Sequence, residues 1–462
     1  MSELAIRYFE KALERIKARD YDRALVLLVE AIKLKPDFAE AWVVRGNVLH
    51  AMERPFDALL HYDRAIGIDK RLHDAWNNRG IAFSDLGLWM SAEESFRESA
   101  SLCDAIEPHM GLANMFCTLN QLESAAAEYA RAIEIDPGFI EAHFNLGVTL
   151  LGMGMWQDGW PEYEWRWRNT PYPPRAYRLY PKWTGQDLAG KRILLYGEQG
   201  YGDEILALRF ATAIEDLYPT SVVIVQARPP MFRLAHLAHS MPNDAWVVDP
   251  DHDFGSLTID YSCPLLDVPM VLNLSAATAP PKRYLSADVL NVSEWRHRLA
   301  SLPPGLNVGL CWYSGGHLGT AKTAQQAKSI PLHWLKSLAL PGVNLISLQK
   351  DRPEAVSARP FPITDWMDEC HDFADTAALI KALDLVISVD TAVAHLAGAL
   401  GKPVWNFVRF SGYWPWLSAE AAGDPEKSIW YPSMKLVRQP SLANWAEPVE
   451  RVTGWLKAMV PT

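Results

Sequence analysis

Residues 383–408 read LDLVISVDTAVAHLAGALGKPVWNFV, and this stretch decides how the C-terminal part of the chain folds. An apolar run is followed by a polar loop, a helix of small residues and a second apolar run. Such alternation predicts a parallel β-sheet covered by helices. The same pattern begins near residue 191 with RILLY and again near residue 305 with NVGLCW. The sequence therefore predicts two successive α/β domains, 191–304 and 305–462.

The first third of the chain repeats itself. Small residues recur with spacings of 34, 34 and 33 residues, and a second set follows seven positions later: Ala24, Ala58, Ala92 and Ala125, then Ala31, Ala65, Ser99 and Ala132. Small residues at this period let two antiparallel helices approach closely, and the pattern resembles the tetratricopeptide repeat. Residues 1–154 are predicted to form an α-solenoid with four full repeats over 5–138 and a degenerate fifth from Ile140.

Stacked repeats of this kind leave a concave surface. We expect that surface to bind a protein or peptide. Two alternatives stay open, namely that the repeats join two copies of the chain into a homodimer or that they support the neighbouring domain.

Residues 155–190 form a junction rich in proline and aromatic residues, where the helical pattern ends. Its rings supply too much apolar area to leave in water: Trp160, Tyr163, Trp165 and Trp167. They are predicted to pack the repeats against the next domain. A platform on which a sugar stacks is the alternative.

Composition excludes several classes of function. The formal net charge is −11 with no basic run, which argues against a nucleic-acid partner. The five cysteines are far apart and in no CxxC pair, which argues against disulfides and zinc and favours a reducing compartment. No apolar stretch approaches the roughly 20 residues that a spanning helix needs. We expect a cytoplasmic protein without a transmembrane segment.

The loop after the first predicted strand reads GEQGYGDE, residues 197–204, and opens a helix. Gly200 and Gly202 present backbone N–H groups at a positive helix end, which suits an anion. Asp203 is a candidate general base, and the alternative is that it only caps its helix. The glycine order is not GxGxxG, which argues against a dinucleotide-dependent reductase.

Two further loops carry polar side chains at predicted strand ends. Asp390 and Thr391 precede the small-residue helix, and His395 lies one turn after Thr391, so all three suit phosphate oxygens. The loop from Tyr313 contains glycines, then Lys328, whose charge suits a diphosphate. The acidic run 249–253 is interpreted as a polar surface loop rather than a metal site, because it contains Pro250.

Five segments together resemble the bacterial tetratricopeptide-repeat proteins with a heptosyltransferase-like (family 9) glycosyltransferase domain: GEQGYGDE, KSIPL, SLQK, DFADTAALIKALDLVISVDTAVAHLAGALGKPVW and SIWYPSMKLVRQ. The O-linked N-acetylglucosamine transferases have a related architecture. The resemblance implies a GT-B fold, in which two Rossmann-like domains face each other, with 191–304 on the acceptor side and 305–462 on the donor side.

The resemblance also implies roles for individual residues. Asp203 falls on the catalytic base of the heptosyltransferases. The residues that the resemblance assigns to the nucleotide-sugar donor are Ser314, Lys328, Ser329, Gln349, Asp390, Thr391 and His395. The chain departs from the family at Ala392, usually Gly, at Pro415, usually Arg, and in the segment 314–328.

The sequence therefore predicts a glycosyltransferase that moves a sugar from a nucleotide-sugar donor to a hydroxyl, with no cofactor and no required metal. The acceptor is a protein presented by the repeats or, alternatively, a cell-surface saccharide. A protein-binding scaffold with a non-catalytic transferase fold is the other alternative.

Overall fold

A computed structural model of the chain describes residues 2–168, 179–238, 246–248, 258–275, 284–314, 328–350, 359–416 and 423–460. The acidic run 249–253 and the glycines between residues 315 and 319 lie outside these ranges. The chain forms two compact units, Met1–Thr149 and Leu150–Thr462. In the part that is described, no helix is both long enough and apolar enough to cross a lipid bilayer.

The first unit is a helical repeat array. Its helices are α1 (Ser2–Lys17), α2 (Tyr21–Leu34), α3 (Ala39–Ala51), α4 (Pro55–Ile68), α5 (His73–Asp85), α6 (Trp89–Leu102), α7 (Ile106–Thr118), α8 (Leu122–Ile135) and α9 (Ile140–Gly152), the last of which runs into the second unit. Successive helices pack as pairs, α1 on α2, α3 on α4, and so on. The predicted solenoid is confirmed.

The periodic small residues lie in the second helix of each repeat. All eight are fully buried, including Ala24 and Ala58. Glycines bring the paired helices still closer, because a Cβ added at Gly46 would lie 2.4 Å from Tyr62 Cε1. The period therefore reflects the close approach of helices.

A second set of markers closes the loops before α3, α5 and α9. Trp42 Nε1 donates to Pro36 O at 3.0 Å, and Trp76 Nε1 donates to Lys70 O at 2.9 Å. In the degenerate repeat, His143 Nε2 lies 3.1 Å from Pro137 O. The same six-residue bridge thus recurs with two kinds of side chain.

The second unit alternates strands with helices. Its helices are α10 (Trp156–Tyr163), α11 (Tyr201–Ala207), α12 (Phe210–Leu217), α13 (Phe232–His236), α14 (Val268–Val271), α15 (Val289–Leu299), α16 (Phe373–Ala382), α17 (Ala392–Ala399) and α18 (Ala446–Met459). Its strands are β1 (Arg192–Tyr196), β2 (Val222–Gln226), β3 (Trp246–Val248), β4 (Tyr261–Pro264), β5 (Leu306–Cys311), β6 (Val343–Ser347), β7 (Leu385–Val389), β8 (Val404–Val408) and β9 (Met434–Arg438).

These strands form two parallel sheets, ordered β3-β2-β1-β4 and β6-β5-β7-β8-β9. The prediction of two Rossmann-like halves is confirmed. The direction of strand addition reverses between β1 and β4 in the first sheet and between β5 and β7 in the second. Loops separate at such a reversal and leave a crevice at the carboxyl ends of the strands, where ligands bind in open α/β sheets.

The second half has its own apolar core, and α18 belongs to it. Val452 and Leu456 of α18 are fully buried beside Leu335 and Leu338, and Thr453 Oγ1 lies 2.8 Å from Ser337 Oγ. The sequence led us to expect that this helix packs back across the junction. Its described contacts complete the core of the second sheet, and packing across the junction stays a prediction.

The junction aromatics pack into the second unit. The rings of Trp156, Trp160 and Tyr163 meet that of Trp414 edge-on, with centroids 5.5–6.3 Å apart. Trp160 and Trp414 are only 3% and 1% exposed. Rings this buried form part of the core of the second unit rather than a platform for a sugar. That they pack the repeats against the next domain stays a prediction.

Candidate active site

Asp203 lies in the first turn of α11, beyond the end of β1. Its Oδ2 accepts a hydrogen bond from the backbone N–H of Gly200 at 3.1 Å, which is the capping contact considered from the sequence. Its Oδ1 accepts one from the hydroxyl of Tyr413 at 3.0 Å. Tyr413 belongs to the second half, so this bond joins the two halves.

The environment of Asp203 makes its carboxylate more basic. Burial raises its pKa, and the negative charge of Asp390 adds to this effect. The hydrogen bonds from Tyr413 and Gly200 and the charge of Lys328 oppose the rise without cancelling it. The net shift is upward, as expected for a carboxylate that must accept a proton.

Asp390 follows β7 and is 7% exposed. Its Oδ2 lies 3.0 Å from Lys328 Nζ, and its Oδ1 accepts a hydrogen bond from Trp416 Nε1 at 2.9 Å. Burial alone raises the pKa of Asp390, but Lys328, His395 and Trp416 outweigh it, and the net shift is downward. Asp390 is therefore held as a carboxylate.

Lys328 and Tyr413 connect the two aspartates. The Lys328 ammonium pairs with Asp390 and lies 5.3 Å from the centre of the Tyr413 ring, whose hydroxyl bonds Asp203. The structure thus brings together residues that lie 187 positions apart in the sequence, Asp203 and Asp390. Both sit where the strand order of their sheet reverses.

Thr391 is the residue that precedes α17, and its side chain does not cap that helix. Its Oγ1 lies 3.2 Å from Ser388 Oγ and 3.7 Å from Cys311 Sγ. The first turn of α17 therefore receives no hydrogen bond from the Thr391 side chain. A helix end of this kind is favourable for phosphate oxygens.

His395, which the sequence predicts to donate to the diphosphate, is buried in the structure. It is 3% exposed, its Nδ1 lies 3.0 Å from the Tyr431 hydroxyl, and its ring lies 4.7 Å from that of Trp416. A Cβ at Gly202 would lie 2.8 Å from His395 Cδ2. Burial lowers the pKa of His395 to about 4, so the ring is neutral at physiological pH.

Gly202 therefore serves a packing purpose as well as the anion-binding one predicted for it. It lets the first turn of α11 approach His395 across the two halves. Gly200 donates to Asp203 and so fixes the carboxylate.

Gln349 holds the loop that follows β5. Its Oε1 accepts from the backbone N–H groups of Trp312 and Tyr313 at 3.2 and 2.9 Å, and its Nε2 donates to Tyr313 O at 3.0 Å. Beyond it, the Ser314 N–H donates to Ser329 Oγ at 3.0 Å. Gln349 and Ser329 thus shape this loop, whatever they also contribute to donor binding.

The sequence did not reveal four residues of the site: Arg409, Tyr413 and Trp416 act on the two carboxylates, and Tyr431 contacts His395. Tyr413 and Trp416 lie in the YWPW segment. The sequence analysis identified this segment only by Pro415, which stands where the resembling family usually has Arg. An isolated aromatic residue carries no periodic signal, and its role depends on which loops the two sheets bring together.

Comparison with known families agrees with this geometry. Residues 9–73 and 113–154 match tetratricopeptide repeats, and residues 371–405 match glycosyltransferase family 9 (heptosyltransferase). The last match contains Asp390, Thr391 and His395. The chain thus joins segments that match tetratricopeptide repeats to a segment that matches glycosyltransferase family 9.

Relatives with related architectures are known. Protein FlbA of Caulobacter vibrioides is 28% identical over 451 residues, which cover 92% of this chain and 73% of FlbA. The probable UDP-N-acetylglucosamine–peptide N-acetylglucosaminyltransferase SPINDLY of Hordeum vulgare is 25% identical over 161 residues, 32% of this chain but only 16% of SPINDLY. The solved structure of MamA protein is similar to 36% of this chain and is itself covered to 92%, with 19% identity and a TM-score of 0.33. The family 9 match and the similarity to SPINDLY support a glycosyltransferase.

Proposed function

We propose that this protein transfers a sugar from a nucleotide-sugar donor to a hydroxyl group of a polypeptide held by its repeats. One observation carries the proposal. Asp203 and the Asp390–Lys328 pair meet at the carboxyl ends of two parallel sheets and are linked through Tyr413. A general base and a phosphate site are what such a transfer requires from facing domains.

Asp203 takes the proton from the acceptor hydroxyl. The hydroxyl oxygen then bonds to the anomeric carbon of the sugar, and the bond from that carbon to the diphosphate breaks. The upward-shifted pKa of Asp203 favours this step, because a more basic carboxylate removes a proton more readily. The hydrogen bond from the Tyr413 hydroxyl to Oδ1 fixes the orientation of the Asp203 carboxylate that receives the proton.

The diphosphate leaves with negative charge that the site must stabilise. The first turn of α17 offers backbone N–H groups, and fixed dipoles of this kind stabilise developing charge without reorganising. Lys328 adds a positive charge nearby. That no cation is required stays a prediction, as do the cytoplasmic location and the homodimer.

The acceptor is the finer part of the proposal. The repeats favour a polypeptide, because stacked repeats bind peptides on their concave face. A cell-surface saccharide is the alternative acceptor, as the name heptosyltransferase suggests for the matched family.

A non-catalytic scaffold is the second candidate, and one observation favours it. Lys328 is already paired with Asp390, and both oxygens of Asp203 already accept hydrogen bonds. A site that satisfies its own polar groups has less to offer a substrate.

Thermal unfolding of the purified protein with a panel of nucleotides and nucleotide sugars separates the two candidates. A transferase gains several degrees from one nucleotide family, because a ligand at 100 times its Kd stabilises by about 2.7 kcal/mol. Asp390→Ala and His395→Ala should lose this gain, and Asp216→Ala, an exposed residue of α12, should keep it. No gain with any nucleotide in the wild-type protein favours the scaffold.

A further inference from the structure

We propose that Arg409, to which neither the sequence nor the family match gives a role, binds the phosphate groups of a nucleoside diphosphate in the donor site. This inference rests on the proposed function and deepens it. It names the residue that provides the positive charge and the part of the donor that the charge recognises.

The register of the second sheet places Arg409 next to the loop that follows β7, which contains Asp390 and Thr391. Strands β7 and β8 are parallel, with Val389 opposite Phe407. Two residues further on, Thr391 leaves β7 and Arg409 leaves β8 on the same edge of the sheet. Arg409 therefore stands beside the residue that precedes α17, whose first turn is the predicted phosphate site.

Among the described residues, no hydrogen bond or ion pair of the Arg409 guanidinium is seen. Its Nε is buried and makes no hydrogen bond. In the described ranges, no carboxylate lies within ion-pairing distance of it, although Asp390 acts on it through space. Burial lowers the pKa of Arg409, yet arginine stays protonated in proteins. A half-buried positive charge without a partner is costly, and an anionic ligand removes that cost.

Lys328 differs in this respect. Its ammonium lies 3.0 Å from the Asp390 carboxylate, so the two charges largely cancel. Among Asp390, Lys328 and Arg409, the charge that the Asp390–Lys328 pair does not offset is that of Arg409. The planar guanidinium also presents paired N–H donors that match two phosphate oxygens, which an ammonium does not.

Isothermal titration of wild-type protein, Arg409→Met and Arg409→Lys with a nucleoside, its monophosphate, its diphosphate and inorganic pyrophosphate tests this proposal. The nucleotide base is the one that the thermal panel selects. We expect Arg409→Met to bind the diphosphate about 10- to 100-fold more weakly, with a smaller loss for the monophosphate and none for the nucleoside. Arg409→Lys should recover part of the loss.

Arg451→Met is the matched control. Arg451 is also half-buried with an unpartnered Nε, but it lies on α18 and is within 3.6 Å of Glu426. This variant should bind the diphosphate as the wild type does.

Thermal unfolding without ligand excludes a merely structural role. Since Arg409→Met removes an unpaired charge, its melting temperature should equal or exceed that of the wild type. A lower melting temperature together with weaker binding would mean that Arg409 supports the fold, and would overturn the proposal.

The remaining outcomes are distinct. Unchanged diphosphate binding by Arg409→Met, or an equal loss for nucleoside and diphosphate, overturns the role of Arg409 and leaves the proposed function standing. Binding of pyrophosphate but of no nucleotide by the wild type points to an inorganic anion site and contradicts both. Wild-type protein that binds none of the four probes also contradicts both.

Discussion

The loop after β1 and the loop after β7 place an aspartate in a similar position relative to strand and helix, but the two aspartates have different electrostatic environments. Each places an aspartate beyond the end of a parallel strand, at the start of a helix. Asp203 lies in the first turn of α11, and Asp390 lies just before α17. Asp203 receives hydrogen bonds from a hydroxyl and a backbone N–H. Asp390 receives an ammonium and an indole N–H. Their pKa values shift in opposite directions, upward and downward.

The difference shows how one local motif can serve two purposes. A carboxylate whose pKa is raised is suited to accept a proton, and one whose pKa is lowered is suited to remain a fixed charge. The distinction comes from Lys328, which is 3.0 Å from Asp390 and acts on Asp203 only through space. The following variants test this division of roles.

The largest effect is expected from Asp203→Asn. It removes the base and keeps the size of the side chain, so release of the nucleoside diphosphate from the donor should slow by about 10²- to 10⁴-fold while nucleotide binding is retained. Steady-state turnover and titration calorimetry measure the two quantities. Asp216→Asn on α12 is the control, and it should turn over at the wild-type rate. Unchanged turnover of Asp203→Asn would remove Asp203 from the mechanism.

A smaller effect is expected from Lys328→Met, which leaves the Asp390 carboxylate buried without its cation. The free energy of unfolding at pH 7 should fall by about 2 kcal/mol, less than for a fully buried pair because the Lys328 side chain is 27% exposed. Urea denaturation measures it. Lys336→Met, at an exposed position, should change the stability little.

The pH dependence of that loss follows from the direction of the Asp390 shift. Because its pKa is lowered in the folded protein, the pair contributes stability above the ordinary carboxyl value of about 3.9, and this contribution is lost as the pH falls through the folded value. The gap between Lys328→Met and wild type should therefore narrow below about pH 4. A constant gap down to lower pH would show that Lys328 stabilises through packing alone.

The smallest effect is expected from Tyr413→Phe, since Tyr413 positions Asp203 without itself accepting the proton. Its hydrogen bond lowers the pKa of Asp203, so its loss should raise that pKa further. Turnover should fall about fivefold, and the acidic limb of the kcat/KM profile should move to higher pH.

A profile that falls uniformly without moving would indicate that Tyr413 serves only packing. Tyr218→Phe, which removes a hydroxyl at the end of α12, is the control and should leave the profile in place.

The sequence predicted the fold well because each helix or strand has a recognisable pattern in its own residues. Ala24 and Ala58 mark the repeat because helix packing demands a small residue there, whatever the rest of the chain does. The apolar runs of β1 and β7 likewise identify buried parallel strands. The loops with Asp203 and Asp390 were found for the same reason, since they follow such strands directly.

The partners of the site residues could not be predicted. The sequence predicted that Lys328 faces a diphosphate but not that it pairs with Asp390, 62 positions away in the sequence. His395 lies between Gly202 and Tyr431, which come from opposite halves of the unit. Contacts of this kind depend on which strand ends the topology brings together, and no local pattern records that.

The six-residue bridge in front of Trp42, Trp76 and His143 has a consequence for how the array changes over time. Each bridge joins a ring nitrogen in the first helix of a repeat to a carbonyl six residues earlier, in the loop that precedes that helix, so the shape of one loop does not depend on the next. A repeat can therefore be added or removed without changing the bridges of the other repeats. Duplication or deletion in steps of about 34 residues can therefore lengthen or shorten the binding surface while every remaining loop keeps its closure.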